Sequence, residues 1–422
     1  MRRWLTNLRQ ATRLVGFRAA MFSLAGIGIA IAAWIVSFAA PDNFGLEIGQ
    51  DSVSTILQIL ASSMLAVTTF SLTTMVSAYS GASTSGTPRS TQLLILEPTS
   101  QNALSTFIGA FAYSIVGIIV LSMKVLSPAG IALLFLGTLA VTVTVLVALL
   151  RWISFLTTFG RVPDIIDRVE KAATSAMKAY AQDPSCGASA WTEPPPHARP
   201  ILSDADGYVT DLHVTDLQAV AKVLDLELWV EVRPGATIAE GEPLAYVVGD
   251  GDGLDAVVRD SFGIDAHRTF DNDPRIGLIA LSEVASKALS PGINDPGTAI
   301  DTLRAIERVL RIAQTADAEA EVTRPRLHLR SISAEDFVID GLRPVSRDGA
   351  GMVEVAVRLQ REIARLVENA PDAAWADALT VLSADAVLRS ESAMTLEADI
   401  LAVRSAHRQA VTARPSSPRA SR

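Results

Sequence analysis

Apolar and polar positions divide the chain into two unlike stretches. Four apolar runs of spanning length lie near its start, at about Ala20–Ala40, Val53–Ala78, Ala103–Val125 and Ala129–Leu150. A helix rises about 1.5 Å per residue, so roughly 20 residues cross a hydrocarbon core of about 30 Å. Arg2, Arg3, Arg9, Arg13 and Arg18 precede the first run, and "SFAAPD" closes it with small residues, as a signal peptide would. The run is longer than a signal's apolar core and further runs follow, so it reads as a retained anchor.

Loop charges set an orientation. The leading arginine segment carries no acid and belongs inside, whereas "PDNFGLEIGQD" carries only acids and belongs outside. "SMKVLSP" is a short outer turn, with Lys124 mildly against the rule, and Arg151 and Arg161 follow the fourth run on the inner side. The pattern predicts four spans with both termini and the whole second half in the cytoplasm. The loop "SGASTSGTPRSTQL", rich in Ser, Gly and Thr, is expected to be flexible, with Arg89 as an inner-side charge.

The second run carries a polar stripe. Asp51, Thr55, Gln58, Ser62, Thr69, Thr73 and Ser80 fall within about 60° of one another at 100° per residue. Hydrocarbon offers such groups no partner. The plainer reading is a helix–helix interface, with hydroxyls bonding across helices or back to their own backbone. The sharper reading is a water-lined path, formed when several copies turn this face to a shared axis. Ser63, Thr68, Ser71 and Thr74 lie off the stripe and count against the path. No Lys, Arg, Asp or Glu sits mid-span in any run, which argues against a proton relay.

Past residue 160 the period changes. "RVPDIIDRVEKAATSAMKAYAQD" has helical spacing at Ile165, Val169, Ala172, Ala173 and Ala176. "DPSCGASAWTEPPPHARP" reads as a linker, because its Pro and Gly break helix and sheet alike. "GYVTDLHV", "LELWVEV" and "EPLAYVV" read as strands, with "DLQAVAKVLD" a short helix between the first two. In "RPGATIAEGEPL", Gly235, Ile238, Gly241 and Leu244 recur every three residues, similar to the turns of biotinyl/lipoyl-like half-barrels. The carrier lysine of that family is absent, so the resemblance implies no prosthetic group. "GDGDGLD" lacks the spacing of a calcium loop and reads as a solvated turn.

Two helices then flank a corner. Asp273 or Asn272 can cap the first, with Pro274 at its first position, and Ile276, Ile279, Ala280, Val284 and Leu289 form its buried face. Ser290-Pro291-Gly292 should stop it. Asp295 can accept from the free amides of the next helix, with Pro296 at the first helical position. Ser290 and Asn294 are left without a capping role, which makes Asn294 a candidate for contact with a ligand, a neighbouring subunit or the β module. Three further helices follow, then a last one over about Leu396–Val411, then "TARPSSPRASR" as a basic disordered tail.

"RTFDNDPRIGL" followed by "ALSPGINDPGTA" closely resembles the bacterial membrane family known as domain of unknown function 2254. "FIGAFAYSIV" in the third run, "GYV" followed by "PGATIAEGEPL", and "TPRSTQLL" as a loose form of a Ser-Pro-Arg loop extend the resemblance over most of the chain. It implies a multispanning membrane protein with a cytoplasmic domain, and supplies neither an activity nor catalytic residues.

Composition sharpens the picture. The chain has 422 residues, 49% of them hydrophobic, with a mean hydropathy of +0.32, high for a wholly soluble protein. A net charge of -9 argues against holding nucleic acid through its phosphates. The single cysteine, Cys186, excludes an intrachain disulfide and cannot build a thiolate zinc site alone. None of the five histidines pairs with another at metal-ligand spacing, and no H-E-x-x-H, G-x-S-x-G, P-loop or G-x-G-x-x-G after a strand occurs. No catalytic, metal or cofactor residue is therefore assigned.

The expected fold is membrane α-helical, with four transmembrane helices, plus a cytoplasmic α+β domain. Its expected parts are a span domain (1–160), an amphipathic helix and linker (161–200), a small β module (201–250), a helical domain (251–411) and a tail (412–422). The expected location is the bacterial inner membrane, in a lipid bilayer, as a homo-oligomer and without nucleic acid. The leading functional expectation is an oligomeric pore or transport-related protein governed by its cytoplasmic domain. The alternatives are a non-conducting sensor or scaffold and, with least support, a membrane-bound enzyme. Two residue sets stand as candidates: the polar face Thr55, Gln58, Ser62, Thr69, Thr73 and Ser80, and the motif Arg268, Asp273, Ser290, Asn294 and Asp295.

Overall fold

The computed structural model describes residues 15–39, 49–95, 98–316 and 321–412. The arginines from Arg2 to Arg13, most of the acidic first loop and nearly all of the basic tail lie outside them. The chain forms two compact units, Met1–Asp164 and Ile165–Arg422.

The first unit is helical: α1 Val15–Ala39, α2 Gln50–Ser85, α3 Pro88–Ile95, α4 Pro98–Ser122 and α5 Pro128–Thr158. Four of these are long and apolar enough to cross a membrane. The hub is α4, which packs against α1, α2 and α5. Glycines make the close approaches possible. A Cβ on Gly109 would fall 2.7 Å from Phe22 Cβ, and one on Gly26 would fall 2.8 Å from Tyr113 Cβ. Tyr113 is buried, and its hydroxyl donates to the Leu134 carbonyl at 3.0 Å and lies 2.9 Å from Thr138 Oγ1. The pattern "FIGAFAYSIV" is thus a packing signature, with small residues for approach and one phenol tying two helices.

The expectation of a flexible loop after α2 is overturned. The helix runs on to Ser85, and Pro88–Ile95 forms α3. Thr87 and Ser90 cap α3 reciprocally: Ser90 N–H donates to Thr87 Oγ1 at 3.3 Å and Thr87 N–H to Ser90 Oγ at 2.8 Å. Thr87, Ser90, Thr91 and Leu94 are buried. Ser and Thr here serve helix starts rather than a mobile loop.

The second unit starts with α6 Val162–Gln182, whose first turn precedes the unit boundary. Then come β1 Ala188–Ala190, β2 Arg199–Leu202, β3 Gly207–Leu212, α7 Val214–Val223, β4 Glu227–Val230, β5 Thr237–Ile238, β6 Pro243–Val248, α8 Leu254–Asp260 and β7 Phe262–Asp265. After these lie α9 Ile276–Ala288, α10 Pro296–Ala313, β8 Arg324–Leu329, α11 Ala334–Asp348, α12 Val353–Glu368, α13 Ala373–Ala393 and α14 Glu397–Thr412. One sheet has the order β1-β8-β4-β6-β2 and the other β5-β3-β7.

The β module therefore reaches beyond residues 201–250. The stretch expected to be a linker supplies β1 and part of β2, and β1 pairs parallel with β8, a strand from between two helices. β8 also pairs parallel with β4, while β4–β6 and β6–β2 are antiparallel. Ile201, Leu228, Ile238, Leu244, Val247 and Leu327 fill the core of this region. Ile238 and Leu244, the apolar positions of the three-residue turn pattern, are both part of this core. The helical part packs through α9–α10, α9–α11, α10–α12 and α11–α13. Gly277 on α9 lets α6 pass close, since a Cβ there would lie 2.6 Å from Ala173 Cα.

Candidate functional site

On α2, Val53, Leu57, Leu60, Met64 and Ser71 are buried. The helical angles put these about 160° from the polar stripe. Thr55, Gln58, Ser62, Thr69, Thr73 and Ser80 are all exposed in the single chain. Within the single chain the stripe makes no interface between helices, because α2 packs through its opposite face. Its hydroxyls bond back to their own backbone. Thr55 donates to the Asp51 carbonyl at 2.8 Å, Ser62 to Gln58 at 2.9 Å, Thr69 to Leu65 at 3.0 Å and Thr73 to Thr69 at 3.0 Å. A hydroxyl bonded to the carbonyl one turn back needs no outside donor partner. Gln58 is different: its Nε2 donates to Ser54 Oγ at 3.3 Å, and its carbonyl finds no partner among the described residues.

The second candidate set splits into two places. Arg268 and Asp273 lie before α9, while Ser290, Asn294 and Asp295 lie after it. Thirteen residues of helix, about 20 Å, separate them.

Before α9, Arg268 Nε donates to Asp273 Oδ2 at 2.7 Å, and Nη2 lies 2.6 Å from the same oxygen. The other oxygen, Oδ1, accepts from the amides of Arg275 at 2.9 Å and Ile276 at 3.3 Å, so Asp273 does satisfy amides at the start of α9, but the helix begins at Ile276 after Arg275 and Pro274 lies in the preceding turn rather than at the first helical position. Asp273 is 2% exposed. Burial pushes its carboxyl up, and Arg268 and the two amides pull it back only in part. Arg275 then clamps Asp340 of α11, Nε to Oδ2 at 2.6 Å and Nη2 to Oδ1 at 3.2 Å. Arg268, itself half-buried, and the buried Asp273 thus form an ion pair at the junction of a loop and the start of α9.

After α9, Ser290 Oγ donates to the Lys287 carbonyl at 2.7 Å. The amides of Ile293 and Asn294 both donate to the Ser290 carbonyl, and that of Asp295 donates to Ala288. Asn294 has φ +52, the left-handed conformation. The helix ends at Ala288, directly before Ser290-Pro291-Gly292 as expected, but the left-handed residue of the corner is Asn294 rather than Gly292. Asn tolerates this conformation better than any β-branched or bulky residue. Asp295 Oδ1 accepts from Thr298 N–H at 3.0 Å, and Thr298 Oγ1 donates to Oδ2 at 2.6 Å. These bonds hold the Asp295 carboxyl below the usual range.

Sequence reasoning passed over a cavity of about 190 Å³ walled by Tyr180, Asp183, Cys186, Asp211, Arg233 and Asp271. Arg233 follows β4, Tyr180 closes α6, Asp211 ends β3 and Asp271 precedes α9, so four segments far apart in sequence converge. Only its composition hinted at it, as an arginine beside the Pro-Gly turn. Arg233 Nη2 donates to the Pro184 carbonyl at 2.5 Å and to Cys186 Sγ at 3.7 Å, and the guanidinium carbon sits 5.8 Å from the centre of the Tyr180 ring. Burial pushes the Tyr180 phenol up, against the pull of the Arg233 charge. Among the described residues, no group of three His, Cys, Asp or Glu is placed to hold a metal ion.

Four helices long and apolar enough to cross a membrane thus share a chain with a polar α+β unit. The chain belongs to the family described as predicted membrane protein (DUF2254), whose model matches residues 13–365. An uncharacterised protein of Mycobacterium bovis is 24% identical over 200 residues, 45% of this chain and 38% of that protein. An uncharacterised protein of Mycobacterium tuberculosis matches with the same identity and coverage. The match thus spans well under half the length of these curated relatives. No solved structure matches the chain.

Proposed function

We propose that the chain sits in the bacterial inner membrane through α1, α2, α4 and α5, with both termini and the second unit on the cytoplasmic side. In this reading copies assemble as a homo-oligomer, and α2 turns its polar stripe to the shared axis as a pore or transport path governed by the second unit. The observation that carries it is the direction of the stripe. It lies opposite the face that α2 packs on its own bundle, and Gln58 leaves an amide carbonyl exposed on a helix otherwise suited to lipid. An unpaired amide in hydrocarbon is costly, so a second copy or water is the better neighbour.

The test replaces Cys186 by Ser and places a cysteine at Ser62. In liposomes, aqueous maleimide should label Ser62→Cys, and purified protein in planar bilayers should pass current that Thr69→Leu or Thr73→Leu alters. A silent bilayer under varied voltage, tension and pH, with Ser62→Cys unlabelled, would sink the pore.

A second reading is a non-conducting sensor or scaffold whose helices only anchor the second unit. What favours it is the back-bonding of Thr55, Ser62, Thr69 and Thr73, which leaves their donors satisfied without water. It expects oligomers cross-linked through Ser62→Cys but no current.

A further inference from the structure

We propose that the Arg233 cavity binds a small zwitterion of the α-amino acid class. Arg233 Nη1 is buried and has no hydrogen-bond partner among the described residues. Its sister nitrogen is fixed by the Pro184 carbonyl, which holds the guanidinium in place beside the cavity. A buried N–H left without an acceptor is unfavourable, the more so when it is charged. A carboxylate on a ligand would meet it, as guanidinium donors and carboxylate oxygens pair well in a desolvated setting.

The rest of the wall decides the other end of the ligand. Asp183, Asp211 and Asp271 line the same cavity, so a simple anion would gain one cation and face three carboxylates. A simple cation would face Arg233. A molecule with an acid at one end and an ammonium at the other meets both. Asp211 is positioned for this, since its Oδ1 accepts from Leu212 N–H at 2.8 Å and from Asn272 Nδ2 at 3.2 Å, which fixes the carboxylate plane. The volume, about 190 Å³, is below the range of roughly 300–1,000 Å³ typical of drug-sized ligands and suits a small metabolite. The site lies wholly in the second unit and does not depend on whether the helices conduct.

The chain carries its own reporter, because its one cysteine, Cys186, lines the cavity. Full-length protein in detergent is alkylated with a maleimide in the presence of L-alanine, L-serine, L-aspartate or L-glutamine, or of propionate or ethylamine as single-charge controls. Equilibrium dialysis with the same labelled compounds reads binding directly if Cys186 reacts too slowly. At least one amino acid should bind and slow alkylation, with propionate and ethylamine inactive. Arg233→Gln should weaken that binding about tenfold or more, the loss expected for one charge-assisted hydrogen bond. Asp211→Asn should weaken it as well, and circular dichroism should show both variants folded. No binding by any of the four amino acids, binding that survives Arg233→Gln, or equal binding of propionate would each overturn the proposal.

Discussion

Gly235 rests directly on the Asp273 carboxylate: a Cβ at Gly235 would fall 2.7 Å from Asp273 Cγ and both of its oxygens. Gly235 also holds φ +96, a conformation that L side chains rarely adopt. The turn of the β module and the segment that starts α9 thus meet at one point. They are two of the stretches that carry the family resemblance, and a single contact explains why both need their residue types.

Gly235→Ala should lower stability by about 1–3 kcal/mol through strain at a positive φ, with displacement of the carboxylate added to it. The apparent thermal midpoint of the purified protein checks this. A midpoint equal to that of the parent would mean the turn can relax without disturbing Asp273.

Arg268→Met alone should be destabilising by about 3–5 kcal/mol, because it strands the buried Asp273 charge. Adding Asp273→Asn should recover part of the loss, since the amide oxygen can still cap α9 at Arg275 and Ile276 while the charge is gone. Additive losses in chemical denaturation would show that the two side chains do not act as a pair.

At the corner after α9, Asn294→Gly should leave stability unchanged or raise it, and Asn294→Val should reduce it by about 1–2 kcal/mol through the left-handed backbone. This separates backbone from side chain. If Asn294→Gly is stable but loses a binding or assembly property of the parent, the amide has a further partner.

Asp295→Ala should be destabilising by about 1 kcal/mol through the lost cap, while Asp295→Asn, which keeps an acceptor for the Thr298 amide but not the charge, should lose less but still lie below the parent at neutral pH. The folded carboxyl is held below its unfolded value by Thr298. Its extra stability is therefore complete above the ordinary aspartate range and is lost as pH falls through the lowered value. Stability profiles of parent and Asp295→Asn should converge in acid, and parallel profiles would exclude this linkage.

Elements whose signal is local can be read from the residues alone. Four long apolar runs, the periodicity of α6 and of α9 to α14, and the capping chemistry of Asp273, Asp295 and Pro296 can all be read within a turn or two of helix, where neighbours in sequence are neighbours in space. Tertiary structure alone decided what depends on distant partners. β1 lies in a Pro- and Gly-rich stretch and is a strand only because Ala188–Ala190 finds β8 across the intervening chain. The cavity exists only because Tyr180, Asp211, Arg233 and Asp271 converge from four segments, and no spacing rule links them. The direction of the α2 stripe was also beyond the pattern. Periodicity shows that Thr55, Ser62, Thr69 and Thr73 share a face, but which face turns outward is fixed by how Val53, Leu57 and Met64 pack against the rest of the bundle.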